Sequence, residues 1–160
     1  SGHSLAFQEF EEIRCKLKIS YIKKYDPNVI KILKENSLAS DEINNAYSIS
    51  WESKSEWGLD TPKEQSSGKS ILIPLEITKK KGKIIRSNGY TESMQVTSKY
   101  KLLEDGTLVI STKYNQISTE ERIWFVTENL RSRFSVTRSI DSLAILQTSY
   151  ASEIRCIKNN

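Results

Sequence analysis

A chain of 160 residues with 37% hydrophobic and 28% charged residues suits one globular domain, 1–160, large enough to bury a real core. Its net charge of +4 is a mild bias toward anionic partners, too small and scattered to argue nucleic-acid binding by itself; no apolar run approaches a membrane span, and no signal peptide is expected at the start of the sequence. His3 is the only histidine, and Cys15 and Cys156 lack metal-ligand or His-partner spacing, which argues against a multi-histidine metal site and a conventional Ser/His or Cys/His centre. Both cysteines are expected as free thiols in strands, in a reducing compartment.

In chain order, Leu17 to Ile22 alternates and is partly β-branched or aromatic, a strand pattern. Asp26-Pro27 then supplies an N-cap acceptor followed by proline at the first helical position, and Val29, Ile30 and Leu33 recur at helical spacing. The pattern stops at Asn36-Ser37, so one short helix is expected over 27–36. Tyr47 to Trp51 alternates cleanly, and Ile71 to Leu75 is a short apolar run. Asp60 to Lys69 reads as a mobile loop. Lys81-Gly82-Lys83 and Glu104-Asp105-Gly106-Thr107 read as hairpin turns, and Lys79-Lys80-Lys81, beside Gly82, as a solvated turn. A further turn is expected at Thr127-Glu128-Asn129, and a last strand over 143–157.

About ten strands result, near residues 4–10, 12–24, 45–57, 69–75, 83–90, 94–103, 107–115, 119–126, 130–138 and 143–157. Short hairpin links and one helical excursion make an antiparallel meander, which avoids exposed edges best by closing into an up-and-down barrel. A barrel of this size can hold a small ligand.

The segment STEERIWFVTENLRSRFSV, residues 118–136, raises a question about that interior. Alternation puts Arg131, Arg133 and Ser135 on one face, and Leu130, Ser132, Phe134 and Val136 on the other. Either the apolar set faces inward, or the arginines do. The second arrangement requires an anionic ligand or facing carboxylates, because buried charge is costly unless paired. Glu121, on one face with Ile123 and Phe125, is a candidate partner. Alternation alone leaves both arrangements open.

The motifs HSLAF near the start, SWESKSEW at 50–57, GYTE at 89–92, STEERIWF at 118–125, NLRSR at 129–133 and SEIR at 152–155 together resemble the S-type phycobiliprotein lyases. The resemblance runs over nearly the whole chain, with the motifs in family order. It implies a ten-stranded antiparallel barrel similar to lipocalins and fatty-acid-binding proteins, and a protein that attaches open-chain tetrapyrroles (bilins) to cysteines of light-harvesting phycobiliproteins. One departure stands out. Family members begin with an additional N-terminal helix and a segment carrying a tryptophan and an arginine, whereas this sequence opens at Ser1-Gly2-His3, so either that helix is absent or the numbering begins inside a longer protein.

The resemblance implies site roles for several residues. Arg131 and Arg133 would hold the bilin propionates, since a guanidinium matches a carboxylate with two parallel charge-assisted hydrogen bonds. Glu121 would accept hydrogen bonds from pyrrole N–H groups or share a proton with the tetrapyrrole, as the catalytic residue. Trp51 and Trp57 offer flat surfaces for the rings, and Glu52 and Ser135 complete the ligand-binding set. Glu52 alternates away from Trp51, so the two share a face only across a bulge. Glu153 and Arg155 share a face of the last strand and read as a structural ion pair. The nucleophile would be the acceptor's thiol, which explains the lack of a catalytic Ser, His or Cys here.

No permanent cofactor is expected. The bound substrate is a bilin, phycoerythrobilin or phycocyanobilin, and the partner a phycobiliprotein subunit, in the cytoplasm of a cyanobacterium or a plastid stroma. Self-association as a homodimer is compatible with such a barrel. The alternative reading is a non-catalytic carrier of bilin or another hydrophobic anion.

Overall fold

The computed structural model describes residues 13–55, 65–88 and 94–156. Within them lie nine strands: β1 (Ile13–Ile22), β2 (Ala46–Ser55), β3 (Gln65–Thr78), β4 (Lys81–Asn88), β5 (Met94–Leu102), β6 (Leu108–Tyr114), β7 (Ile117–Thr127), β8 (Leu130–Ser139) and β9 (Ile145–Ile154). Each pairs antiparallel with its sequence neighbour, in a single sheet ordered β1 to β9. The strand expected near 4–10 lies outside the described residues. The architecture is the expected all-β, up-and-down, lipocalin-like one, a sheet curled into a half-barrel with one α-helix.

That helix, α1 (Pro27–Glu35), starts and stops for the reasons visible in the sequence. Asp26 caps it by accepting from the Asn28 backbone N–H at 2.9 Å, and Pro27 fills the first helical position. Ser37 then takes a left-handed φ of 56°, and the Leu38 N–H bonds back to the Leu33 carbonyl at 2.8 Å, closing the last turn. Val29, Ile32 and Leu33 form its buried face, with Ile32 in the place expected of Ile30.

The helix packs with Ile43, Ala46, Ile73 and Ile85 into the main apolar core, flanked by Ile22, Leu38, Ile71 and Leu75. Ile73 and Ile85 are register partners. Their chain neighbours Leu72 and Arg86 are also register partners, and therefore point to the opposite face. The core beneath α1 and the face carrying Arg86 are thus on opposite sides of the sheet. In β4, Ile85 is covered by the helix, while Ile84 and Arg86 face the other way.

The β3–β4 turn is formed by Lys79 and Lys80, as the lysine run suggests and not at Lys81-Gly82-Lys83, while Gly82 sits inside β4 opposite Glu76 and Tyr100. A side chain at Gly82 would overlap the Leu75 carbonyl and the Tyr100 ring. Here the glycine marks a close approach within a strand rather than a turn. The Gly106 turn forms as expected, with φ 85°, and Asp105 accepts from the Thr107 N–H at 2.9 Å. The β7–β8 hairpin turns through Glu128 and Asn129, after a register shift between Phe125 and Thr127.

Candidate functional site

The question of the arginine face is settled by contacts across the sheet. Arg133 is in register with Ile123 of β7 and Ala151 of β9, and Arg131 with Phe125 and Glu153. Glu121 is in register with Ser135. All of these side chains stand on one face. Arg133 Nε donates to Glu153 Oε1 at 2.9 Å, and its Nη1 reaches Glu121 Oε1 at 3.3 Å. Arg131 Nε donates to the other Glu153 oxygen.

The Glu121 carboxylate has a further partner. Arg86 Nη2, from β4, donates to Glu121 Oε2 at 2.9 Å. In sheet order β4 and β7 are separated by β5 and β6. In a flat sheet with strands about 4.8 Å apart, those strands would lie about 14 Å from each other, with side chains standing perpendicular. The two groups meet only because the sheet curls toward them. The arginine face is therefore the concave one, and Leu130, Phe134 and Val136 lie outside.

The result is a chain of alternating charge, Arg86–Glu121–Arg133–Glu153–Arg131, drawn from β4, β7, β8 and β9. Among the described residues, three guanidinium groups of this network face two carboxylates, leaving one positive charge in excess. Glu121 is the most enclosed member, its side chain 13% exposed against 24–30% for the other four. Both of its oxygens are held by arginines. Such a lining suits an anion with several carboxylates, since the excess charge is positive and the donors are already oriented.

The other expected residues fall as follows. Ser135 is on the concave face, its hydroxyl 2.8 Å from that of Ser149. Trp51 is on the same face: it pairs with Gly68, which lies four residues before Leu72, the partner of Arg86. Its indole lies so close over Gly68 that a Cβ there would overlap the ring. The glycine therefore lets the indole lie against the wall. Trp57 lies outside the described residues. Glu52 is not brought to the site. The β1–β2 and β2–β3 ladders run without a bulge at residues 51 and 52, so Glu52 stays exposed on the outer face.

Glu153 does not pair with Arg155, as expected from the last strand, but with the two arginines of β8. Arg155 lies past the end of β9 and is exposed. Arg86 and Glu153 are thus members of the network that sequence reading missed. A signal existed for Glu153, which alternation puts on one face; for Arg86 only the curvature of the sheet reveals the partner. Cys15 is free and exposed in β1. Cys156 is free and exposed beyond β9 rather than within a strand. Among the described residues no cluster of His, Cys, Asp and Glu fits a metal ion, and no helix is long and apolar enough to cross a membrane.

A meandering antiparallel sheet curled around an arginine–glutamate network, with a helix on its outer face, is the lipocalin-like ligand-binding class of β-barrel. The chain belongs to the CpeS-like protein family, whose model matches residues 1–156. It is 36% identical over 157 residues to a chromophore lyase of Trichodesmium erythraeum, covering 97% of this chain and 89% of that one. A phycocyanobilin lyase subunit of a Picosynechococcus species is 29% identical, covering 85% of this chain and 69% of its own. The solved structure of an S-type phycobiliprotein lyase from Guillardia theta superposes with a TM-score of 0.76 at 27% identity, covering 93% of this chain and 80% of the other.

Proposed function

We propose that this protein is a phycobiliprotein lyase that binds a bilin on the concave face of its barrel and promotes thioether formation with a cysteine of a phycobiliprotein subunit. The observation that carries this reading is the pre-oriented network of three arginines and two glutamates inside a lipocalin-like barrel. Relatives named chromophore lyase and phycocyanobilin lyase subunit support it.

In this reading Arg131 and Arg133 exchange their Glu153 contacts for the bilin propionates. Glu121, held between two walls, faces the tetrapyrrole nitrogens, accepting their hydrogen bonds or sharing a proton with them. Trp51, lying flat, offers a surface to a pyrrole ring. The acceptor's thiolate adds to the ethylidene group of ring A. A carbon–sulfur bond forms, the π pair of the double bond moves to the ring carbon, and that carbon takes up a proton. No oxidant is needed. The protein's contribution is positioning, proton management and exclusion of wrong additions. The bilin is an ethylidene-bearing one, of the phycocyanobilin or phycoerythrobilin kind, and the setting a cyanobacterial cytoplasm or a plastid stroma.

Co-expression with each bilin and candidate phycobiliprotein subunits, followed by mass spectrometry of the subunit, tests this. The expected result is one bilin mass on a subunit cysteine, absent without the lyase. Bilin binding with no gain in attachment to any subunit would instead make the protein a carrier.

A further inference from the structure

Arg86 differs from the other arginines of the network in one respect. Its Nη2 is engaged by Glu121, but its Nε is shielded from solvent and donates to no acceptor among the described residues. A buried N–H without an acceptor is costly and uncommon in a folded protein. The guanidinium is planar and its donors are fixed relative to one another, so the Nη2 contact also fixes where Nε–H points. The register neighbours of Arg86 are Leu72 on β3 and Val96 on β5, whose apolar side chains provide no acceptor. Arg86 stands on the concave face, where a bound ligand can supply an acceptor for this proton.

We infer that Arg86 is a ligand-binding residue of the opposite wall: Nη2 positions Glu121 while Nε–H donates to an oxygen of the bilin, a lactam carbonyl or a propionate. This rests on the bilin reading above. It makes the ligand a bridge between walls, held from β8 by Arg131 and Arg133 and from β4 by Arg86. The same side chain ties the carboxylate that faces the tetrapyrrole to the ligand's own oxygen, so placement of Glu121 and placement of the bilin are set together.

Titration of the whole chain with phycocyanobilin, followed by absorbance, separates this from a purely structural role. Arg86→Lys keeps a charge that can pair with Glu121, but one ammonium cannot also donate from the Nε position. Arg86→Lys is expected to melt close to the wild type, to bind about tenfold or more weakly as for loss of a charge-assisted hydrogen bond, and to displace the absorbance band of the bound bilin. Wild-type affinity and band in Arg86→Lys would show that Arg86 only pairs with Glu121, overturning the inference while leaving the bilin reading intact. Should Arg86→Lys fail to fold, Arg86→Gln combined with Glu121→Gln joins β4 to β7 by a neutral hydrogen bond. Binding weaker than in Glu121→Gln alone then supports the contact, and equal binding overturns it. No saturable absorbance change with the wild type would overturn the bilin reading, and this contact with it.

Discussion

Replacing Arg131 with alanine separates the two roles that its position allows. Its Nε holds one oxygen of Glu153, whose other oxygen stays with Arg133. The side chains of Arg131 and Glu153 are 25% and 24% exposed, so solvent screens the pair in part. Its loss should cost on the order of 1 kcal/mol of stability, between an exposed pair and a fully buried one, because Glu153 keeps a partner. In a domain of this size that is a fall in Tm of about 2–4 °C. The effect on the ligand should be larger. A propionate deprived of a charge-assisted pair loses roughly 1.5–3 kcal/mol, a rise in Kd of about 10- to 140-fold. Thermal melting and absorbance titration with a bilin, run on the same preparation, read both quantities. A Tm change of the expected size with Kd within twofold of the wild type would mean that Arg131 serves Glu153 and not the ligand.

Glu121→Gln keeps size and one acceptor oxygen, turns the other into an NH2 facing an arginine donor, and removes the charge and the capacity to accept a proton; it should alter the absorbance of the bound bilin and slow transfer more than it weakens binding, as single-turnover assays with an acceptor subunit would show. Cys15→Ser combined with Cys156→Ser should leave transfer to the acceptor largely intact, and mass spectrometry of the wild type after bilin binding should find no thioether on either cysteine. Gly68→Ala should drive the Trp51 indole off the wall, destabilising the fold by about 1–3 kcal/mol as overpacking does and shifting tryptophan emission. Trp51→Leu in the same chain should relieve most of that loss, and failure to do so would place the strain elsewhere.

Much of the fold could be read from local chemistry. Asp26-Pro27 announces the helix because capping and proline geometry are properties of adjacent residues. The Gly106 hairpin follows from a residue able to take positive φ beside an aspartate that bonds to its own backbone. Gly82 misleads because a glycine needed for the close approach of Tyr100 has the same one-letter signature as a turn glycine.

The site was less legible, for a physical reason. Each face of β8 carries a mixture of polar and apolar residues, so the hydrophobic pattern does not choose the inner one. What chooses it is pairing between residues far apart in sequence. Arg86 and Glu121 are 35 positions apart and meet only through curvature. Glu153 is assigned to Arg155 on alternation because both share a strand face. In the folded chain the strand ends at Ile154, and the two guanidinium groups of β8 lie beside the carboxylate. Trp51 and Glu52 show the opposite case: with no bulge to interrupt the ladders, the period of two holds and separates them.

The central claim is that the ionic network lines the bilin site. A crystal structure of the protein with bound bilin tests it most directly. The account predicts the tetrapyrrole on the concave face, with a propionate within hydrogen-bonding distance of the Arg131 or Arg133 guanidinium and pyrrole nitrogens facing Glu121. Bilin seated on the outer face of β7–β9, with the five-residue network unchanged, would contradict it.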